Sequence, residues 1–163
     1  MNTTQTARGR AVVVQPDEGP SFWQPVPANG HADPKLYPGN TGFAGLAMGF
    51  QTIAPGSHVR EHSHGDQVEV QICFRGQGRV VVDGVSHDLV PGTACLLGED
   101  VTHEIVNESR EELVMLWVIT PPGLEGFFEA IGRRRTRGEP APAPFARPVD
   151  VVAVERAMGM NDT

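Results

Sequence analysis

The stretch from Arg75 to Asp100 leaves little room for anything but antiparallel β-structure. Its valine run RVVV stops at Asp83-Gly84, a second run returns, Pro91-Gly92 turns the chain again, and TACLL follows. Asp-Gly between two apolar runs marks a two-residue hairpin, because such a loop needs positive φ at both positions. The same punctuation recurs. GFAGLAMGFQTIAPG (42–56), VEVQICF (68–74), VTHEIV (101–106) and ELVMLWVIT (112–120) are short, apolar and bounded by turn residues, as strands are. Nineteen glycines and 14 prolines among 163 residues suit many strands joined by tight turns. The chain reads as all-β, and its length suits one domain with its own core.

The ends are less regular. Residues 1–10 read as a frayed tail, and AVVVQP (11–16) as a strand ended by Pro16. Segment 17–41 is crowded with prolines and is expected to be irregular. Its Phe22, Trp23, Leu36 and Tyr37 would anchor it over the barrel end or across a partner subunit, which points to a homodimer. The division is thus a tail, strand and arm over 1–41, a β-domain over 42–120, and 121–163 as a short helix, linker and tail. GLEGFFEAIG (123–132) reads as the helix, with Arg133–Arg135 against its negative end. EPAPAPFARP (139–148) reads as an extended linker, and DVVAVERAMG (150–159) as a final helix capped by Asp150.

Thirteen Lys and Arg against 20 Asp and Glu give a net charge of −7, which disfavours a nucleic-acid partner. Cys73 and Cys95 each sit in an apolar run and read as buried free thiols. No secretory leader and no apolar run near the ~18 residues of a membrane span is found, so a cytoplasmic, membrane-free protein is expected.

Chemistry concentrates in GSHVREHSHGDQVEVQICFRG, residues 56–76. His62 and His64 are two apart, so on a strand their imidazoles share a face. Glu69 is an odd number of positions away and joins them only if the chain bends at Gly65-Asp66-Gln67, a turn-prone triplet. Gln71 follows Glu69 on the same face, aimed at whatever that carboxylate meets. Met48 and Phe50 are candidates for a pocket wall or for core. Trp117 is a candidate for the wall if its strand register turns it inward. His58 reads as rim, His31 as an exposed loop residue, and His87 as structural.

These residues resemble the cupin superfamily of small β-barrels. The first cupin motif, G-x5-H-x-H-x3,4-E-x6-G, is matched by Gly56, His62, His64, Glu69 and Gly76. The second, G-x5-P-x-G-x2-H-x3-N, is matched at Gly92, His103 and Asn107, with Gly98 in place of the proline and Asp100 in place of the following glycine. The resemblance implies a single-domain double-stranded β-helix, or jelly-roll barrel, with a short C-terminal helix. It also implies one divalent metal held by His62, His64, Glu69 and His103. Three imidazoles and a carboxylate suit Fe(II) first, with Ni, Mn, Co or Zn as alternatives, and leave two octahedral positions open.

The helix after the last barrel strand is similar to the tail of quercetinase-like and dihydroxyacetophenone-type dioxygenases. That likeness implies C–C cleavage of a small enolisable, phenolic or dicarbonyl substrate with O2, with Glu69 able to act as base. The alternatives are a non-oxidative isomerase, lyase or polyketide cyclase, and a non-catalytic small-molecule-binding cupin.

Overall fold

The computed structural model describes residues 9–162. In chain order it contains β1 (Phe22–Trp23), β2 (His31–Leu36), α1 (Pro38–Thr41), β3 (Ala47–Ile53), β4 (Ser57–His64), β5 (Val68–Arg75), β6 (Gly78–Val82) and β7 (Val85–Leu89). Then come β8 (Ala94–Leu97), β9 (His103–Asn107), β10 (Leu113–Thr120), α2 (Leu124–Ile131), β11 (Arg133–Arg134), α3 (Val151–Ala157) and β12 (Met160–Asp162). One sheet has the order β11-β1-β2-β3-β10-β5-β8 and the other β12-β4-β9-β6-β7, with every pairing antiparallel. The Asp83-Gly84 hairpin forms as expected, with φ of 47° and 79°.

The two sheets close on a core in two parts. Ile53, Cys73, Leu113 and Met115 of the larger sheet meet Val80, Leu89 and Ile105 of the smaller one. At the other end, Trp117 and Ile119 pack against Phe22, Ala32 and Ala47 and against the apolar face of α2, made by Leu124, Phe127, Phe128 and Ile131. Asn107 pegs the barrel wall: its buried amide donates to the carbonyls of Ile53, Ala54 and Glu111 at 3.0, 3.1 and 2.8 Å. Among the described residues no helix is long and apolar enough to cross a membrane.

Two expectations are corrected. The proline-rich arm is not irregular throughout: residues 31–36 form β2, hydrogen-bonded between β1 and β3, with a register shift between Pro34 and Leu36 that accommodates a residue without an N–H. Phe22 is buried in its own chain's core, so the arm closes its own barrel. The strand at 11–16 does not form. Lys35 instead gathers the carbonyls of Gln15, Pro16 and Glu18 at 3.0, 2.8 and 2.7 Å, satisfying that segment with a side chain instead of a neighbouring strand. Most of the tail expected over 1–10 lies outside the described residues.

The C-terminal part does more than trail. Arg133–Arg134 form an edge strand on β1 in place of a cationic helix end. A helix forms after Asp150, although no Asp150 side-chain cap bond is made. Beyond it β12 pairs with β4, in the register Met160↔His64, Asn161↔Ser63 and Asp162↔His62.

Candidate metal centre

Strand β4 carries His62 and His64 to its end, where Gly65-Asp66-Gln67 turns the chain and β5 returns with Glu69. Strand β9 lies beside β4 and sets His103 directly opposite His62. Potential ligand nitrogens of His62, His64 and His103 all lie within 4.8 Å of one another. The Glu69 carboxylate joins from β5, with Oε2 3.4 Å from His64 Nε2 and 3.4 Å from His103 Nε2. His103 is fully buried, and Glu69, His64 and His62 are 1%, 2% and 8% exposed.

Two of the rings are oriented by the backbone. His62 Nδ1 lies 2.8 Å from the carbonyl of Arg60, and His103 Nδ1 lies 3.1 Å from that of Val101. A proton on each Nδ1 donated to those carbonyls leaves Nε2 as a lone pair, the arrangement that second-shell carbonyls enforce on metal-binding histidines. His64 Nδ1 and Nε2, His103 Nε2 and Glu69 Oε2 are buried and have no hydrogen-bond partner among the described residues. Buried polar atoms are nearly always paired, and these converge from three strands. A divalent cation fits that gap: it needs electron-pair donors, and the donors present are three imidazoles and a carboxylate.

The electrostatics agree. Burial, followed by the neighbouring His103 and His64, pushes the His62 pKa down to about 3, so its ring stays neutral and able to ligate. Burial acts to raise the Glu69 pKa, but the His103 and His64 rings outweigh it and hold the carboxylate below its ordinary range. Unfolded His62 takes up a proton near pH 6.5 while folded His62 does not until about pH 3. Below pH 6.5 the unfolded chain therefore binds more protons, and stability falls on acidification by about 1.4 kcal/mol per pH unit from this group. Thermal melts of metal-depleted protein should show the melting temperature dropping from pH 7 to pH 5, with a shallower drop in His62→Gln.

The turn before His103 departs from the cupin motif in residue but not in shape. Asp100 has φ of 59° where the motif has glycine, and its N–H donates to the His64 carbonyl at 2.8 Å. Aspartate is one of the few residues that tolerates the left-handed region, so the turn that joins the two ligand segments is kept. Residues 49–119 match the Cupin domain family.

Solved structures agree on the cupin fold. The chain superposes on a predicted oxalate decarboxylase from Thermotoga maritima with TM-score 0.60 and 21% identity, covering 68% of this chain and 99% of that one. A sugar phosphate isomerase of the cupin superfamily from Silicibacter pomeroyi gives TM-score 0.56 and 21% identity over 67% of this chain and 75% of that one. In sequence, 79 residues are 29% identical to the L-ectoine synthase of Vibrio campbellii, covering 48% of this chain and 61% of that protein. The chain thus spans about three fifths of the length of that curated relative.

The centre opens on a cavity of about 60 Å³ whose walls include His62, Glu69 and Gln71. Gln71 Oε1 is buried without a hydrogen-bond partner, so an acceptor is available beside the metal ligands. Met48 and Phe50 are elsewhere: they line a hollow on the outer side of the larger sheet, with Val12, Val14 and Phe74. Gln51 takes the inner wall instead. Gly49 shares that inner face, where a Cβ would lie 2.7 Å from the Trp117 ring. Trp117 lies behind this wall, 1% exposed and 5.7 Å from the Phe128 ring. His58 stands on the cavity wall, while His87 is exposed on β7. His31 is not a free loop residue: Nδ1 lies 2.8 Å from Asp33. Arg60, Arg147 and Glu155 also line the cavity. For Arg60 the signal was available, as it lies two residues before His62. For Arg147 and Glu155 none was, because nothing local shows that 147–160 folds back over β4.

Proposed function

We propose that this chain is a metal-dependent cupin enzyme, and more narrowly a mononuclear Fe(II) dioxygenase acting on a small enolisable, phenolic or dicarbonyl substrate. The observation that carries this reading is the convergence of His62, His64, His103 and Glu69 on one buried point at the foot of an apolar-walled cavity. When bound, the metal supplies Lewis acidity toward a chelated substrate oxygen and, as iron, electron transfer to O2. His62, His64, His103 and Glu69 would hold it, a donor set whose chemistry suits a mononuclear iron centre. The chain's own residues do the rest. His62 and His103 stay aimed because the carbonyls of Arg60 and Val101 hold their Nδ1 atoms. Glu69 is kept ionised, and once detached from the ligand set its carboxylate would take a substrate proton. Gln71 offers Oε1 to a substrate hydroxyl or enol. Leu124, Phe127 and Phe128 exclude water from the cavity wall.

A second reading, non-oxidative proton transfer or elimination at the same centre, is favoured by the sequence likeness to L-ectoine synthase. Oxygen consumption by iron-loaded protein separates the two. Presented with 1,3-diketones, flavonols and hydroxyacetophenones, the protein should consume O2 in proportion to one of them. Turnover of a substrate by zinc-loaded protein under anaerobic conditions would overturn the oxidative reading.

A further inference from the structure

The structure places a second chemical feature in the metal cavity. Arg60 from β4, Arg147 from the linker and Glu155 from α3 all line it together with His62 and Glu69. Arg60 Nη2 donates to Glu155 Oε1 at 2.8 Å, and Arg147 Nη2 donates to the same oxygen. The Glu155 side chain is only 3% exposed, and its Oε2 is buried with no hydrogen-bond partner among the described residues. A carboxylate that an arginine pair truly fits uses both oxygens, as in a bidentate fork. Here two guanidinium groups crowd one oxygen and leave the other stranded. Glu155 is also the one acid in the run VVAVERA of α3 and the one residue of that helix that is buried, where an acid is rarely found unless paired.

We propose that Arg60 and Arg147 are the carboxylate seat of the substrate pocket and that Glu155 fills this seat until substrate displaces it. The inference rests on the metal-enzyme reading and narrows it to a small carboxylic acid. Arg60 and His62 are two residues apart on β4, roughly 6–7 Å of strand, so the acid's reacting group lies only a few bonds from its carboxylate. The seat reads the carboxylate, while the metal ligands face the enolisable or carbonyl end. Displacing Glu155 frees α3 from β4, which couples substrate entry to movement of residues 147–160.

The test is calorimetric titration of metal-loaded full-length protein with succinate and with its uncharged analogue succinamide. Metal content and melting temperature are measured on every variant. Succinate should bind Glu155→Gln about tenfold more tightly than wild type and Arg147→Gln about tenfold more weakly, the scale of one charge-assisted contact. Arg147→Lys, which keeps the charge, should recover part of the loss, and succinamide should be indifferent to all three. Equal binding of succinate and succinamide, or equal succinate binding by wild type, Arg147→Gln and Arg147→Lys, overturns the seat. If Glu155→Gln loses its fold, the Arg147 series decides alone. Full metal content with no charge-dependent binding removes the seat and leaves the enzyme reading. Charge-dependent binding in protein that takes up no metal does the reverse.

Discussion

His103→Ala should emerge from purification without its metal, while the barrel stays folded. His103 is fully buried and its Nε2 has no hydrogen-bond partner among the described residues, with Glu69 Oε2 at 3.4 Å. Replacing residues that only orient a metal ligand lowers affinity about 10–100-fold, and removing a ligand itself should exceed that. Elemental analysis of wild type and variant, purified in parallel without added metal, measures it. The fold should survive because the change also removes an orphaned buried nitrogen, so the melting temperature of metal-free variant should stay near that of metal-free wild type. His87→Ala, on the exposed β7, should keep its metal. Retention of metal by His103→Ala would mean that β9 does not contribute to the centre.

Trp117→Ala should be the most destabilising single change in the barrel. Trp117 is 1% exposed on β10, the strand hydrogen-bonded to both β3 and β5, where it faces Gly49 on one side and Gln71 on the other. Its ring supports Phe128 of α2 at 5.7 Å, and α2 forms one wall of the metal cavity. Truncating a buried tryptophan costs about 3–5 kcal/mol, against total stabilities of roughly 5–15 kcal/mol. For a chain of this size that is a fall of roughly 6–20 °C in melting temperature. Trp117→Phe keeps most of the volume and discards an indole N–H that has no partner among the described residues, so it should cost much less. Calorimetric melts of both variants check this. A Trp117→Ala melt within 3 °C of wild type, on the scale of roughly 1 kcal/mol, would show that the ring does not hold α2 to the sheet.

The metal ligands were readable from the chain because their chemistry is tied to strand parity and turn composition. His62 and His64 share a face by spacing alone, and the turn at 65–67 brings Glu69 back. The Asp83-Gly84 hairpin was readable for the same reason: its backbone demand is local. What was not readable depended on distant partners. Met48 and Phe50 look like core residues until the pairing of β3 with β10 sets Gly49 opposite Trp117 and leaves them on the outer side. Segment 31–36 looks unfit for a strand until a register shift accommodates Pro34. Glu155 looks like a solvent residue until α3 folds onto β4 and meets two arginines. In each case local preference lost to a contact from more than 60 positions away, or to a bulge that only the paired strand reveals.

X-ray absorption at the metal edge of the loaded wild-type protein tests the centre most directly. Multiple scattering from three imidazoles, with nitrogen and oxygen donors near 2.0–2.2 Å, and loss of one imidazole's contribution in His103→Ala, is the predicted result. A sulfur donor, or two imidazoles in both proteins, would contradict a centre built from His62, His64, Glu69 and His103.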